Sequence, residues 1–201
     1  DRAIDDAARI YGKLDVVFAN AGIDPGVGFV GDWVGSDRPR IPEGALENYT
    51  DERWNRVIEI NMNGVFATIR AAVRHMKPRK FGRIIVTTSL AATRVEPAIG
   101  AAYMTAKAGI RNLMKSAALE LAAFNITVNA IAPGYIITNI GGGHSKNPVE
   151  QKAVAKVTPM HRVGWPEDLY GIALFFASPA SEFITGQEVI VDGGLGLGTA
   201  D

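Results

Sequence analysis

The sequence predicts a doubly wound α/β fold, in which helices cover both faces of a parallel sheet. Four apolar runs bounded by turn-forming residues predict strands at 14–20, 83–89, 127–133 and 188–192. Each run is nearly continuous rather than alternating, which is typical of strands that are buried on both faces. Helical patterns separate the runs, so we expect three layers, α/β/α.

Helical periodicity predicts helices at about residues 51–76, 100–124, 148–157 and 166–177. The last of these begins with a proline and two acidic residues, which suit the first turn because the helix dipole favours negative charge there. The first dozen residues also have a helical pattern that is already in progress at Asp1. No repeat or low-complexity linker divides the chain, so we expect a single domain over 1–201.

The composition excludes several classes of function. Lys+Arg and Asp+Glu both number 21, so the chain has no basic excess and we expect no nucleic-acid partner. The absence of cysteine excludes disulfides, thiolate metal sites and a cysteine nucleophile, and fits a reducing compartment. His75, His144 and His161 lack the spacing of metal ligands. The apolar runs are too short to span a membrane and no leader opens the chain, so we expect a cytoplasmic protein without a membrane partner.

In such a sheet, ligands bind beyond the carboxyl ends of the strands. The residues at those ends are Asn20, Ala21 and Gly22, then Thr88 and Ser89, then Pro133 and Gly134. Gly and Pro also end strands for structural reasons alone, so both interpretations stay open. The glycine-rich stretches GIDPGVG (22–28) and GGLGLG (193–198) lack the following helix that a phosphate turn needs. We predict a loop at the first and a flexible tail at the second.

Tyr103 and Lys107, in YMTAK, lie one turn apart on the same face of the predicted 100–124 helix. The pair is either a solvated helix face with an incidental aromatic residue or a phenol placed beside a cation. A free tyrosine has a pKa near 10, which a cation within about 4–6 Å would lower toward neutral pH. Ser89 either binds the same substrate oxygen or only satisfies the backbone at the end of its strand.

Asn61, in INMNGVF, lies inside the predicted 51–76 helix, where asparagine is mildly unfavourable. Gly64 nearby costs about another 1 kcal/mol relative to alanine. The two together predict a kinked helix with a carbonyl that is available to a water molecule. The alternative is an ordinary irregularity of the helix.

Six motifs in order, at nearly the family's spacing, make the sequence resemble the short-chain dehydrogenase/reductase family over about residues 1–196. They are ANAG (19–22), NMNG (61–64), the serine that ends IIVTTS, YMTAK (103–107), NAIAPGYIIT (129–138) and ITGQEVIVDGG (184–194). None of them is specific alone, but the ordered set is. The resemblance implies a Rossmann-like sheet, an NAD or NADP cofactor, a small alcohol or carbonyl substrate, and a homotetramer or homodimer.

The resemblance also implies roles for individual residues. Tyr103 would be the general acid/base, and Lys107 would lower its pKa and bind the nicotinamide ribose. Ser89 would orient and polarise the substrate oxygen, and Asn61 would hold the helix kink and a water molecule of a proton relay. Tyr103 and Lys107 would thus contact the cofactor as well as serve catalysis.

On the cofactor side, the resemblance places Asn20, Ala21 and Gly22 along the adenosine. After Pro133 and Gly134, Ile136 and Thr138 would hold the nicotinamide carboxamide. Residues 139–162 would form a substrate lid, and we expect its histidines, His144 and His161, to be solvated loop residues rather than substrate contacts.

The sequence departs from the family pattern in three places. Tyr103 follows Ser89 by 14 residues, one more than is usual in the family. Thr88 is therefore the alternative candidate for the role assigned to Ser89. The 24–48 loop is longer than usual, which predicts an added active-site wall or a subunit contact. The opening strand with its Gly-rich turn, and the strand that reads the adenosine 2′ position, are absent. The choice between NAD and NADP therefore stays open, and we expect residues upstream of Asp1, since the 14–20 strand would otherwise be an apolar edge.

The four filled catalytic positions favour an NAD(P)-dependent enzyme that interconverts an alcohol and a ketone or aldehyde. The alternative is a non-catalytic cofactor-binding or regulatory protein, which the loss of Tyr103 or Lys107 would have favoured. A third hypothesis is a folded fragment that is held in an oligomer and lacks cofactor affinity. The substrate cannot be read from the sequence.

Overall fold

The computed structural model describes residues 2–24, 26–31 and 38–199, and a sheet of four parallel strands forms its centre. The strands are β1 (Val16–Ala19), β2 (Gly82–Thr87), β3 (Ile126–Pro133) and β4 (Glu188–Val191). They lie in the order β1-β2-β3-β4, and Ile84 is paired with Val17 on one side and Val128 on the other. The four predicted strands are confirmed, each to within two residues at either end.

The predicted helices are also present. The described helices are α1 (Arg2–Tyr11), α2 (Asp51–Ile58), α3 (Gly64–Met76), α4 (Ala101–Leu121), α5 (Pro148–Val157) and α6 (Tyr170–Ala177). A π-helical turn, Glu59–Asn63, joins α2 to α3, so the predicted 51–76 helix is continuous but locally widened. A 3-10 turn, Pro166–Leu169, precedes α6, and Asp168 in it accepts the Trp165 N–H at 2.8 Å.

Alternate side chains of the strands face opposite layers of helices, as the pleat of a sheet requires. Ile84 of β2 packs in a core shared with Ile69 of α3 and Ile110 of α4. Ile85, the next residue, packs on the other side against Phe176 of α6. Helices therefore cover both faces of the parallel sheet, and the predicted three-layer, doubly wound architecture is confirmed.

The prediction of a flexible tail at 193–198 is wrong. The Asp192 carboxylate accepts the N–H groups of Gly194 at 2.8 Å and Gly196 at 2.7 Å, which folds the chain into consecutive turns. Leu195 between them is buried, and its carbonyl accepts from Arg94 at 2.5 Å. The prediction of a tail rested on the high glycine content of this segment. The Asp192 carboxylate at the end of β4 instead orders the backbone that follows.

Asn129, a buried polar residue of β3, holds the segment that leads into β4. Its Nδ2 donates to the Ile184 carbonyl at 2.8 Å and its Oδ1 accepts from the Gln187 N–H at 3.0 Å. The residue is only 1% exposed, so these two backbone groups depend on the side chain rather than on water.

Replacing Asn129 by alanine should lower the free energy of unfolding by about 2–3 kcal/mol, because two backbone groups would lose their partner in the interior. Urea unfolding measures this loss. Thr127→Val is the matched control, since Thr127 is buried on the same strand and its hydroxyl has no hydrogen-bond partner among the described residues. The control should change stability by less than about 1 kcal/mol. Equal losses in the two variants would contradict the assigned role of Asn129.

Candidate active site

The carboxyl ends of the strands open onto a cavity of about 550 Å³. This volume lies within the range of about 300–1,000 Å³ that small-molecule sites occupy. Ser89 at the end of β2, Tyr103 from α4, and Pro133 and Gly134 at the end of β3 all line it. These four residues, which were predicted site residues on three separate elements, therefore line one cavity.

Ser89, and not Thr88, presents its hydroxyl to the cavity. The Ser89 Oγ accepts from the Ala91 N–H at 3.1 Å and so caps the short turn that follows β2. The Ser89 side chain also lies close enough to the Tyr103 phenol to lower the pKa of that phenol. Thr88 is 1% exposed, and its Oγ1 donates to Glu188 Oε1 at 2.7 Å and lies 3.1 Å from the Ile131 carbonyl oxygen. The extra residue between Ser89 and Tyr103 thus does not move the serine out of reach.

Lys107 lies on the buried face of α4, one turn after Tyr103. Its Nζ donates to the Thr87 carbonyl at 2.8 Å and lies 5.4 Å from the centre of the Tyr103 ring. The residue is only 3% exposed, and this burial lowers the pKa of the Lys107 ammonium to about 8. The pair is therefore not a solvated helix face, which was the first of the two interpretations of YMTAK.

The expectation of a lowered pKa for Tyr103 is wrong for the chain by itself. Burial raises the pKa of the phenol, the Ser89 side chain lowers it, and the Asp24 carboxylate raises it. Desolvation is the largest of these effects, because a phenolate loses more hydration energy than a phenol when it is buried. Tyr103 is accordingly held in its protonated form at neutral pH.

Asn61 is fully buried in the π-helical turn and binds the loop that follows β1. Its Oδ1 accepts from the Ile23 N–H at 3.2 Å, while its Nδ2 lies 3.0 Å from the Ile23 carbonyl and 3.2 Å from that of Val57. A Cβ on Gly22 would lie 2.6 Å from Asn61 Oδ1 and 3.8 Å from Lys107 Nζ, so only glycine allows this approach. The structure places a π turn at Asn61; the predicted kink and its water relay stay predictions.

The residues that the resemblance assigns to the cofactor lie along the same edge of the sheet. Asn20 follows β1, and its Oδ1 accepts from Thr87 Oγ1 at 2.7 Å. Ile136 lines the cavity and forms a bridge with Gly164. Thr138 Oγ1 accepts from the Ile140 N–H at 3.2 Å. The remaining members of this set are Ala21, Gly22, Pro133 and Gly134.

A polar wall of the cavity, formed by Asp24, His144 and Glu150, was not predicted from the sequence. His144 Nε2 lies 3.5 Å from Asp24 Oδ2, and His144 Nδ1 lies 3.3 Å from Glu150 Oε1. The predicted exposure of both histidines is confirmed, but His144 also lines the cavity, whereas His161 does not. Asp24 lies 120 residues before His144 in the chain, so no local pattern could identify the three side chains as one wall.

The unusual length of the 24–48 loop was the sequence feature that pointed to extra residues at the cavity. Asp24, Val27 and Val30 of the loop line the cavity, which is compatible with the predicted wall; both the wall and the alternative subunit contact stay predictions. Residues 25 and 32–37 of the loop lie outside the described residues. On the other side, residues 139–162 carry three consecutive glycines, 141–143, with φ of 62°, 74° and 81°. Their movement as a lid stays a prediction.

Other kinds of site have less support. Over residues 2–24, 26–31 and 38–199, no group of three or more His, Asp or Glu side chains is arranged to hold a metal ion. Within the same ranges, no helix combines the length and apolar character that crossing a bilayer requires. A second cavity, of about 120 Å³, is lined by Arg162 and Asp168, which form an ion pair with each other at 2.7 Å.

Comparison with known proteins matches almost the whole chain to one family. A family model described as enoyl-(acyl carrier protein) reductase matches residues 1–196. The chain is 34% identical over 194 residues to a sorbose reductase of Candida albicans, covering 96% of this chain and 63% of that protein. It is 36% identical over 197 residues to 3beta-hydroxysteroid dehydrogenase 1 of Eggerthella lenta, covering 98% and 69%.

A solved structure gives the same result for the fold. The gluconate 5-dehydrogenase from Burkholderia cenocepacia J2315, in complex with NADP and tartrate, superposes with a TM-score of 0.81 at 32% identity. The match covers 96% of this chain and 69% of that one. The chain therefore spans about two thirds of the length of the relatives it matches.

The buried ammonium of Lys107 should make stability depend on pH. Its pKa is about 8 when folded and 10.5 when unfolded, so the unfolded chain binds more protons between these values and the free energy of unfolding rises with pH there. Relative to Lys107→Met, the unsubstituted protein should gain up to about 3 kcal/mol across this window, measured by urea unfolding. Lys115→Met, on the exposed face of the same helix, is the control. The same pH response in both variants would argue against a desolvated Lys107.

Proposed function

The chain belongs to the short-chain dehydrogenase/reductase family, and on that premise we propose that it is an NAD(P)-dependent oxidoreductase that interconverts an alcohol and a ketone or aldehyde. The observation that carries the proposal is that Ser89 and Tyr103 line one cavity, with the buried Lys107 ammonium 5.4 Å from the centre of the Tyr103 ring. The relatives named above, a reductase and two dehydrogenases, support the same class of reaction. A non-catalytic role is less well supported, because a purely structural tyrosine would not need a paired serine at a cavity.

The residues at the strand ends fit a nicotinamide dinucleotide. An ammonium has three N–H donors, and the Thr87 carbonyl is the one acceptor that Lys107 meets among the described residues. The other two donors are buried, and ribose hydroxyls would satisfy them. The proposal assigns the adenosine side to Asn20, Ala21 and Gly22.

The carboxamide side of the cofactor would be held by Pro133, Gly134, Ile136 and Thr138. When bound, the nicotinamide supplies or accepts the hydride, which no protein side chain can do. NADP is bound in the related gluconate 5-dehydrogenase structure. For this chain the proposal includes either NAD or NADP.

Tyr103 would move the proton. In the reductive direction its phenol donates to the carbonyl oxygen as that oxygen becomes negatively charged, and the raised pKa keeps the phenol protonated for this step. In the oxidative direction the phenolate accepts the proton of the alcohol. The Ser89 hydroxyl would bind the same oxygen and stabilise its developing charge.

Lys107 and Asn61 would support this chemistry without bonding to the reacting oxygen. With a pKa of about 8, the Lys107 ammonium is mostly protonated at neutral pH, and a cation beside the ring favours the phenolate when the proton leaves. Asn61 would hold the loop after β1 and, through the π turn, position a water molecule that passes the proton to solvent.

Replacing Tyr103 by phenylalanine removes the proton donor and keeps the ring, so kcat should fall by about 10²–10⁴-fold. Absorbance of the reduced nicotinamide measures this in full-length protein, with NAD and NADP, against ketones, aldehydes, sugars and steroids. Tyr170→Phe, on an exposed tyrosine outside the cavity, is the matched control and should keep its turnover. Circular dichroism checks that Tyr103→Phe is folded. A folded Tyr103→Phe variant with ordinary turnover would refute the mechanism.

We also infer a homotetramer in the cytoplasm. Exposed apolar side chains on α3 and α4, Phe66 at 47% and Leu119 at 84%, would be covered if these helices pair between subunits. A cysteine-free sequence suits a reducing compartment. Light scattering of the full-length protein should give four times the monomer mass, and Leu119→Glu should dissociate the assembly. A monomer at micromolar concentration would remove this part of the proposal.

A further inference from the structure

We infer that the substrate of this site is a neutral polyhydroxy compound, a polyol or the matching ketose, whose hydroxyls hydrogen-bond to the polar wall of Asp24, His144 and Glu150. The inference rests on the proposed oxidoreductase function and adds the substrate class to it. Its basis is the arrangement of these three side chains around the cavity that contains Ser89 and Tyr103.

The polar wall is built from three separate elements. Asp24 follows β1, His144 lies in the turn Ile140–Lys146, and Glu150 is in the first turn of α5. The two ring nitrogens of His144 face different carboxylates, at 3.5 Å and 3.3 Å. Metal ligands converge on one point, whereas these groups form a row of hydrogen-bonding atoms along the cavity.

These carboxylates have hydrogen-bonding capacity beyond their contacts within the chain. A carboxylate can accept about four hydrogen bonds. Asp24 Oδ1 accepts from the Gly26 N–H at 3.0 Å, and Glu150 lies against the Tyr135 phenol, whose pKa burial and Glu150 together raise. Both carboxylates remain partly exposed, by 24% and 20%, and both line the cavity. Substrate hydroxyls would donate to them, whereas a hydrocarbon would cover them and leave them unsatisfied.

The polar wall is also close to the reacting groups. The Asp24 carboxylate is near enough to the Tyr103 phenol to raise its pKa. Asp24 lines the same cavity as Tyr103 and Ser89, so a substrate whose reacting oxygen binds these two would have its other hydroxyls in the cavity that Asp24 lines. The backbone of Gly141 packs against Asp24 with φ of 62°, and a Cβ there would overlap Asp24 Oδ2. This contact fixes the position of the carboxylate.

Among the described lining residues, three carboxylates (Asp24, Glu96 and Glu150) outnumber one guanidinium (Arg94), which favours a neutral molecule over an anion. Glu96 also lines the cavity but is paired with Arg38 at 3.1 Å, and Arg94 donates to the Leu195 carbonyl at 2.5 Å. A carboxylate on the substrate would meet Asp24 and Glu150 in a site of low dielectric, where like charges repel strongly. A set of apolar side chains also lines the cavity, and it suits the C–H face of a polyol carbon chain. Its members include Val27, Val30, Leu90 and Ile99.

Oxidation kinetics of the full-length protein test this inference, with the cofactor that supports turnover. The probes are a set of five- and six-carbon polyols that includes sorbitol, then gluconate as an anionic polyol, and cyclohexanol as an alcohol without further hydroxyls. We expect kcat/KM for the best polyol to exceed both other values by about ten-fold or more, the effect of one hydrogen bond to a charged group.

The polar wall is tested by Glu150→Gln, which should lower the ratio of kcat/KM for that polyol to kcat/KM for cyclohexanol by about ten-fold. The effect should fall mainly on KM, because this hydrogen bond forms with substrate and transition state alike. Glu182→Gln, on an exposed carboxylate outside the cavity, is the matched control and should leave the ratio as it is. His144→Gln is a second variant of the wall, in case Glu150→Gln disturbs α5.

Other results would contradict either the substrate inference or the oxidoreductase proposal, and the two cases can be told apart. Cyclohexanol turned over as well as every polyol, or an unchanged ratio in both wall variants, would overturn the inference and leave the oxidoreductase proposal standing. Gluconate as the best substrate would overturn neutrality. Turnover of steroids or simple ketones without any polyol would also overturn the inference. No turnover of any probe or of the wider panel, with either cofactor, would refute the proposed function itself.

Discussion

The hydrogen bond from the buried Lys107 ammonium to the Thr87 carbonyl is the contact on which the geometry of this site depends. It joins the first half of α4 to the last residue of β2, one of the two inner strands of the sheet, and Ser89 follows that residue by two positions. Because Tyr103 lies one turn before Lys107, fixing the lysine against the strand end fixes the phenol beside the Ser89 hydroxyl. This position removes the ammonium from water, and the loss of hydration lowers its pKa.

The other contacts of the site hold the loops around this centre. Asn61 binds both backbone groups of Ile23, and the absence of a side chain at Gly22 lets them approach. The π turn at Asn61 supplies the inward amide without breaking the helix, since α2 and α3 continue on either side. Asp192 organises the chain after β4 in a similar way, through two glycine N–H groups. Buried or half-buried polar side chains, more than apolar packing, thus determine where the loops lie.

The sequence was sufficient for the sheet and for the centre of the site, because both follow from local patterns and their order. Continuous apolar runs identified all four strands, and helical spacing brought Tyr103 and Lys107 to one face. Prediction from the sequence failed where residues from distant parts of the chain meet. The polar wall of Asp24, His144 and Glu150 has no periodicity, and the direction of the Tyr103 pKa depends on burial and on Asp24, 79 residues earlier in the chain. The prediction of a flexible tail after β4 failed for a different reason. The high glycine content of this segment suggested flexibility, but the Asp192 carboxylate accepts two of its N–H groups.

Burial gives the two ends of the YMTAK motif opposite changes of pKa, and these changes suit one reaction cycle. It raises the pKa of the Tyr103 phenol and lowers that of the Lys107 ammonium, so each group is driven toward its neutral form. A site with a protonated phenol and a marginally charged lysine responds strongly to any added charge, because few water molecules remain to screen it. A bound group that brings positive charge to Tyr103 would favour the phenolate, and the fixed Asp24 carboxylate would oppose it. Under the proposed mechanism, the carboxylate of the polar wall would therefore also limit how readily the phenol releases its proton, and would couple substrate recognition to proton transfer.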